Sequence, residues 1–231
     1  MNLRQTVTRM TMKTTSIPML TKLFLTLYVA VLVPIYLATY GPTNFLFFCD
    51  MALLLTLVAM WRGSALLVSA AAVGILLPQL LWALDFLSTL IGLPNTGMTD
   101  YMFQDSIPLH VRILSFFHFW LPFLLIWLLG KTGYDHRGLP LWIALAFSSL
   151  YICYFFMPAP PAPANNPALP VNINYVYGFS DQGSQTWMPE AVWFVVLQLM
   201  LVFLVFLPSH WVLKRLYPPA RDSLVDDEST G

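Results

Sequence analysis

Apolar residues run along this chain in long blocks separated by short polar punctuation. Six blocks, at roughly 18–40, 44–61, 64–85, 109–129, 139–157 and 190–213, approach the ~20 mostly apolar residues needed to span a hydrocarbon core. Residues 86–93 (FLSTLIGL) prolong the third block. That helix is therefore either long and tilted or followed by a short interfacial segment. The pattern predicts an all-α polytopic integral membrane protein, a six-helix transmembrane bundle over 18–217 with external loops at about 86–108 and 158–189.

Composition agrees. Of 231 residues, 58% are hydrophobic and 10% charged, with a mean hydropathy of +0.70, whereas soluble domains carry about a quarter charged residues. Eleven Lys plus Arg balance eleven Asp plus Glu, so no basic surface points to nucleic acid as a partner and membrane lipids are the expected neighbours. Cys49 and Cys153 have neither CxxC nor zinc spacing, and no metal or cofactor is expected.

Basic residues in short loops stay cytoplasmic. With the N-terminus inside, Arg4, Arg9, Lys13, Lys22, Arg62, Lys131, Arg137, Lys214, Arg215 and Arg221 all lie inside, which predicts both termini to be cytoplasmic. Arg112, at the outer start of helix 4, is the exception. Trp61, Trp142 and Trp211 at inner ends, and Trp187 and Trp193 at an outer end, match interfacial belts. Residues 1–17 read as a basic cytoplasmic segment leading into an uncleaved anchor, and 218–231 as a disordered cytoplasmic tail. Neither outer loop carries an N-x-Ser/Thr sequon, which favours a bacterial inner (plasma) membrane.

Ionisable side chains at membrane depth cost about 2.5–3.5 kcal/mol each on insertion scales, so each is a functional candidate. Asp50, Asp85, His110, Arg112 and His118 all fall in the outer leaflet. Arg112, Ser115 and His118, spaced i, i+3, i+6, share a face of helix 4, with His110 flanking it. Asp50 and Asp85, from two other helices, are expected to neutralise Arg112 and orient an imidazole; the same residues would also serve as a network that only holds helices together. Pro34, Pro78 and Pro122 interrupt helices 1, 3 and 4 and are expected to splay them around an outward cavity. Ala65/Ser69 and Ala70/Gly74 give helix 3 a close-packing seam. The 158–189 loop has six prolines before Val171. Its second half, with Asn172, Asn174, Tyr175, Tyr177, Gly178 and Asp181, has the amide and aromatic groups of a binding lid, or of a plug that binds nothing.

The six-helix layout with cytoplasmic termini, the stretches GPTNFLFFCDMALL and HFWLPFLL, and a histidine within helix 4 resemble the androgen-induced-gene family of membrane hydrolases, which use a Thr and a His to cleave fatty-acid esters. Bacterial YwaF-like integral membrane proteins look similar at the level of topology. The resemblance implies His118 as the helix 4 histidine. Thr43 lies in the loop before helix 2, and Cys49 and Asp50 occupy the membrane positions where the nucleophile would stand.

Three functions compete. A lipid-ester hydrolase or acyltransferase would use His118 as general base, Cys49, Asp50 or Ser115 as nucleophile, and Arg112 against an anionic headgroup or oxyanion, with His110, Asp85, Asn174 and Tyr177 completing the substrate site. A transporter or proton-coupled channel would relay protons through Asp50, Asp85 and His118, although the inner half has almost no ionisable residues and no inverted repeat is evident. A non-enzymatic, structural or partner-binding membrane protein would present the 158–189 loop.

Overall fold

The computed structural model describes residues 17–167 and 169–220; residues 1–16 of the basic segment and 221–231 of the tail lie outside the described residues. The described chain is helical: α1 (Met19–Thr39), α2 (Phe48–Arg62), α3 (Ala65–Leu90), α4 (Leu109–Ser115), α5 (Phe117–Thr132), α6 (Gly138–Phe156), α7 (Glu190–Met200) and α8 (Leu207–Leu216). A π-helical stretch, Leu201–Phe206, joins α7 to α8 just before Pro208, which has no N–H to donate back along the helix. Five segments are long and apolar enough to cross a membrane: Met19–Thr39, Ala65–Leu90, Leu109–Thr132, Gly138–Phe156 and Glu190–Leu216. Their outer faces present residues such as Leu20, Leu27, Leu84, Ile113, Phe156 and Leu204 to the surroundings, as lipid contact requires.

Two boundaries differ from the sequence reading, and a third takes one of its two alternatives. Helix 2 begins at Phe48 and has 15 residues, because Pro42–Leu46 forms a separate 3₁₀ turn after Gly41, whose φ of 82° carries the chain away from α1. Helix 3 continues to Leu90, so residues 86–90 are helix and 26 residues form one long element; at 1.5 Å per residue this is about 39 Å. The fourth helix breaks at Phe116, while Pro122 stays inside α5. Side chains capture the carbonyls that would carry the helix through: Tyr28 donates its hydroxyl to Leu114 O and the His118 ring bonds Ser115 O. The Phe119 N–H turns to Phe116 O at 3.0 Å instead.

At the centre is α3, packed against α2, α5, α6 and α8. Ser64 caps it by accepting the Leu67 N–H. The small-residue seam is real and faces α6: a Cβ on Gly74 would lie 1.8 Å from Trp142 Cε2, and one on Gly138 would lie 2.8 Å from the Ala70 nitrogen. Trp142 is fully buried there, with Phe48 and Phe206 edge-on to its ring. A second, smaller core joins α6, α7 and the loop between them through Leu150, Cys153, Ile173, Val176, Tyr177, Trp193 and Phe194. Apart from the exposed Tyr175, residues 171–177 are thus packed chain.

Candidate functional site

The loops after α3 and α6 meet the end of α1 and the start of α2 at one end of the bundle. Between them lies a cavity of about 950 Å³, lined by α1 (Tyr36, Thr39, Tyr40), the α1–α2 turn (Asn44, Phe47), α2 (Cys49, Asp50), the helix break (Ser115, His118) and both loops (Tyr101, Gln104, Ser106 to Pro108; Pro161, Ala162, Pro167, Leu169 to Val171, Asp181, Gln182). That volume is at the upper end of the range for small-molecule sites.

Asp50 sits in the first turn of α2, where the helix dipole favours negative charge, and is only 3% exposed. Its Oδ2 accepts from Asn44 Nδ2 at 3.3 Å and from the Cys49 thiol at 3.8 Å. Its Oδ1 is buried and has no hydrogen-bond partner. Ser115 shares a 2.8 Å hydrogen bond with the Tyr36 hydroxyl. His118 Nδ1 lies 2.6 Å from the Ser115 carbonyl oxygen, and its ring stacks on Trp82 at 5.1 Å. A carbonyl only accepts, so Nδ1 carries a proton, and in the neutral form of the ring the lone pair is on Nε2. Burial pushes the Tyr101 phenol above its ordinary range, so Tyr101 presents a hydroxyl to the cavity wall.

Four of the sequence candidates, His118, Asp50, Cys49 and Ser115, therefore line one cavity. The other five do not line it, each for a definite reason. Asp85 is saturated: Oδ1 accepts from the backbone N–H and hydroxyl of Thr96 at 2.6 and 2.8 Å, and Oδ2 from those of Thr99 at 3.0 and 2.8 Å. It folds the 94–99 turn onto the end of α3. Arg112 meets neither Asp50 nor Asp85. It donates to Met102 O at 3.2 Å and stands 3.8 Å from the fully solvated carboxylate of Asp105. Its guanidinium borders a separate groove of about 430 Å³ formed with Tyr28, Phe86, Phe103, Ile113, Phe116 and Trp120, so the helix 4 face inferred from spacing divides between two surfaces. His110 is exposed in the first turn of α4.

Asn174 and Tyr177 are buried, with their polar atoms bonded within the protein. Asn174 Oδ1 accepts the Phe48 N–H at 3.0 Å, while Nδ2 donates to Leu46 O at 2.9 Å and to Ser149 Oγ at 3.3 Å. Tyr177 donates to Tyr154 O at 2.8 Å. Asn172 gathers the loop, donating to Gly178 O and Ser180 O and accepting the Tyr177 N–H. Both asparagines have left-handed φ, 53° and 56°, a conformation their short side chains tolerate better than most.

Sequence reasoning missed Tyr36, Tyr40, Asn44 and Tyr101. Tyr36 and Tyr40, four apart at the end of helix 1, share a helix face and point into one site; that spacing was the available signal. No protein family, curated protein or solved structure matches this chain.

Proposed function

We propose that this is a multi-pass membrane protein whose cavity opens on the outer side of a bacterial inner membrane and carries out acyl hydrolysis or acyl transfer on a membrane lipid. The observation that carries the reading is the cavity wall in which His118, held as its Nδ1–H tautomer by the Ser115 carbonyl, stands with Asp50, Cys49 and Ser115. In that tautomer Nε2 is the basic nitrogen. Among the described residues no thiol or hydroxyl is hydrogen-bonded to His118: the Ser115 hydroxyl is engaged by Tyr36 and the Cys49 thiol by Asp50. The base therefore acts on water or on an acceptor alcohol. His118 takes the proton as oxygen adds to the ester carbonyl, then returns it to the departing alkoxide, leaving a carboxylic acid and an alcohol, or a new ester and an alcohol. The sequence resemblance to membrane ester hydrolases that use a helix 4 histidine supports the same role.

The topology belongs to this proposal. α2, at 15 residues or about 22 Å, is short for a bilayer core. Its return of the chain is supported by its start beside the end of α1 at the cavity and by its C-terminus, which leads through Gly63 directly into α3. Counting α2 as a sixth crossing, completed by the Pro42–Leu46 turn, places both termini on one side, and the basic residues make that side cytoplasmic.

The test is comparative lipidomics of cells expressing the wild-type chain, His118→Ala, His118→Gln or an empty vector, with equal membrane levels of each protein. The expected result is a set of acyl lipids altered by wild type alone. Profiles indistinguishable between wild type and both variants would overturn the enzymatic reading.

A further inference from the structure

We propose that the cavity recognises a primary ammonium group, seated on the unpartnered Oδ1 of Asp50 and enclosed by the rings of Tyr36, Tyr40 and Tyr101. The proposal deepens the reading above by naming the headgroup chemistry of the same site, but it does not require chemistry at His118.

Three observations converge. Asp50 is buried, and its two oxygens differ. Oδ2 has its donors, the Asn44 amide and the Cys49 thiol, whereas Oδ1 has none. A buried acceptor without a donor is costly, and Asp50 is one of the residues that line the cavity. The wall includes the acidic side chains of Asp50 and Asp181 and neither Lys nor Arg. The wall therefore favours a cation and offers an anion no counter-charge. Tyr36, Tyr40 and Tyr101 all line the cavity, and tyrosine faces attract ammonium groups.

The donor deficit at Oδ1 narrows the class further. A quaternary ammonium satisfies the rings and the charge but has no N–H, so it leaves Oδ1 unpaired. A primary ammonium has three, enough for Oδ1 and for further acceptors. Two sources present this group: the ethanolamine head of an aminophospholipid and a free small amine.

The experiment uses the purified full chain in detergent, with binding followed by tryptophan fluorescence. The probes are dihexanoyl phosphatidylethanolamine, its N-acetyl derivative, dihexanoyl phosphatidylcholine, dihexanoyl phosphatidylglycerol and free ethanolamine. The ethanolamine lipid should bind about tenfold or more tightly than the other three lipids, as expected for one charge-assisted hydrogen bond. Free ethanolamine binding with similar affinity identifies a soluble amine as the ligand, and its weak binding identifies the lipid; both sustain the proposal. Asp50→Asn should abolish the preference, and Tyr101→Ala, outside the spans, should weaken it severalfold if Asp50→Asn does not fold. Equal affinity for all headgroups, or a preference untouched in both variants, overturns it. A retained ethanolamine preference with lipid profiles unaffected by the His118 variants would overturn the acyl chemistry alone. Altered profiles without any headgroup preference would overturn only the ammonium site.

Discussion

Asn174 Oδ1 accepts the backbone N–H of Phe48 at 3.0 Å across 126 residues of sequence. The bond does the work of an N-cap for α2, since Phe47, at the cap position, has no side-chain acceptor. The loop residue thereby fixes the first turn of α2 and with it Asp50, two residues on. Asn174 also donates to Leu46 O and Ser149 Oγ. Asn174→Ala should lower stability by about 1–3 kcal/mol, the cost of leaving buried partners unpaired. Thermal unfolding in detergent checks this, with Asn174→Gly as the variant that keeps the left-handed backbone easy and removes only the bonds.

Gly74 faces the Trp142 indole with no room for a methyl group. Gly74→Ala should destabilise the bundle by about 1–3 kcal/mol or more through overpacking. Gly130, where an added Cβ meets nothing within 4 Å, is the control: Gly130→Ala should be neutral or stabilise by up to about 1 kcal/mol. Equal effects at the two sites would refute the close approach of α3 and α6.

Asp85 and Arg112 should behave independently. Arg112→Ala removes a contact to an exposed carboxylate, worth about 1 kcal/mol or less, and the bond to Met102 O, worth about 1–2 kcal/mol. Asp85→Ala frees four donors on Thr96 and Thr99 and should cost more and expose the 94–99 turn to protease. A double-mutant cycle should return additive effects; coupling above about 0.5 kcal/mol would restore the ion pair expected from sequence.

Asp135, between α5 and α6, predicts an acid dependence. Burial raises its pKa, but hydrogen bonds from the Arg137 side chain and backbone, with the Arg137 charge, outweigh it and hold the carboxyl below its ordinary 3.8. A depressed folded value means that the carboxylate stabilises the fold above pH 3.8 and that this contribution is lost as pH falls through the lower folded value. Asp135→Asn should be less stable than wild type at neutral pH, and the difference should shrink as the pH falls below 3.8. A constant gap between the two acid-unfolding curves would contradict this.

The topology predicts which surface cysteines an impermeant thiol reagent reaches in intact cells. Cysteines introduced at Asn95 and Asn165, both exposed in the loops at the cavity end, should label from outside, and one at the exposed His136 only after permeabilisation. The reverse pattern would invert the orientation, and with it the outward cavity.

Length and polarity alone made the helices legible, because a bilayer core demands unbroken apolar runs. The small residues at Gly74 and Ala70 made the α3 seam legible, because close helix approach leaves no space for larger ones. The sequence also marked His118, Asp50, Cys49 and Ser115 as polar groups at membrane depth, and they do share a wall. It could not pair them. Asp85 looked like a counter-ion for Arg112 by depth, but hydrogen bonds to Thr96 and Thr99, 11 and 14 residues away, satisfy it locally. Arg112 appeared to share a face with His118 only while helix 4 was regular. Tyr28 from another helix takes the Leu114 carbonyl and His118 takes that of Ser115, and the resulting break sends Arg112 to a different surface. Asn174 and Tyr177 had the composition of a binding lid, yet their polar atoms are consumed by Leu46, Phe48, Ser149 and Tyr154. Apolar periodicity is a property of single segments and can be read along the chain. Which donor meets which acceptor depends on groups that only the folded bundle brings within 3 Å, and that tertiary pairing decided which polar residues stayed free to form a site.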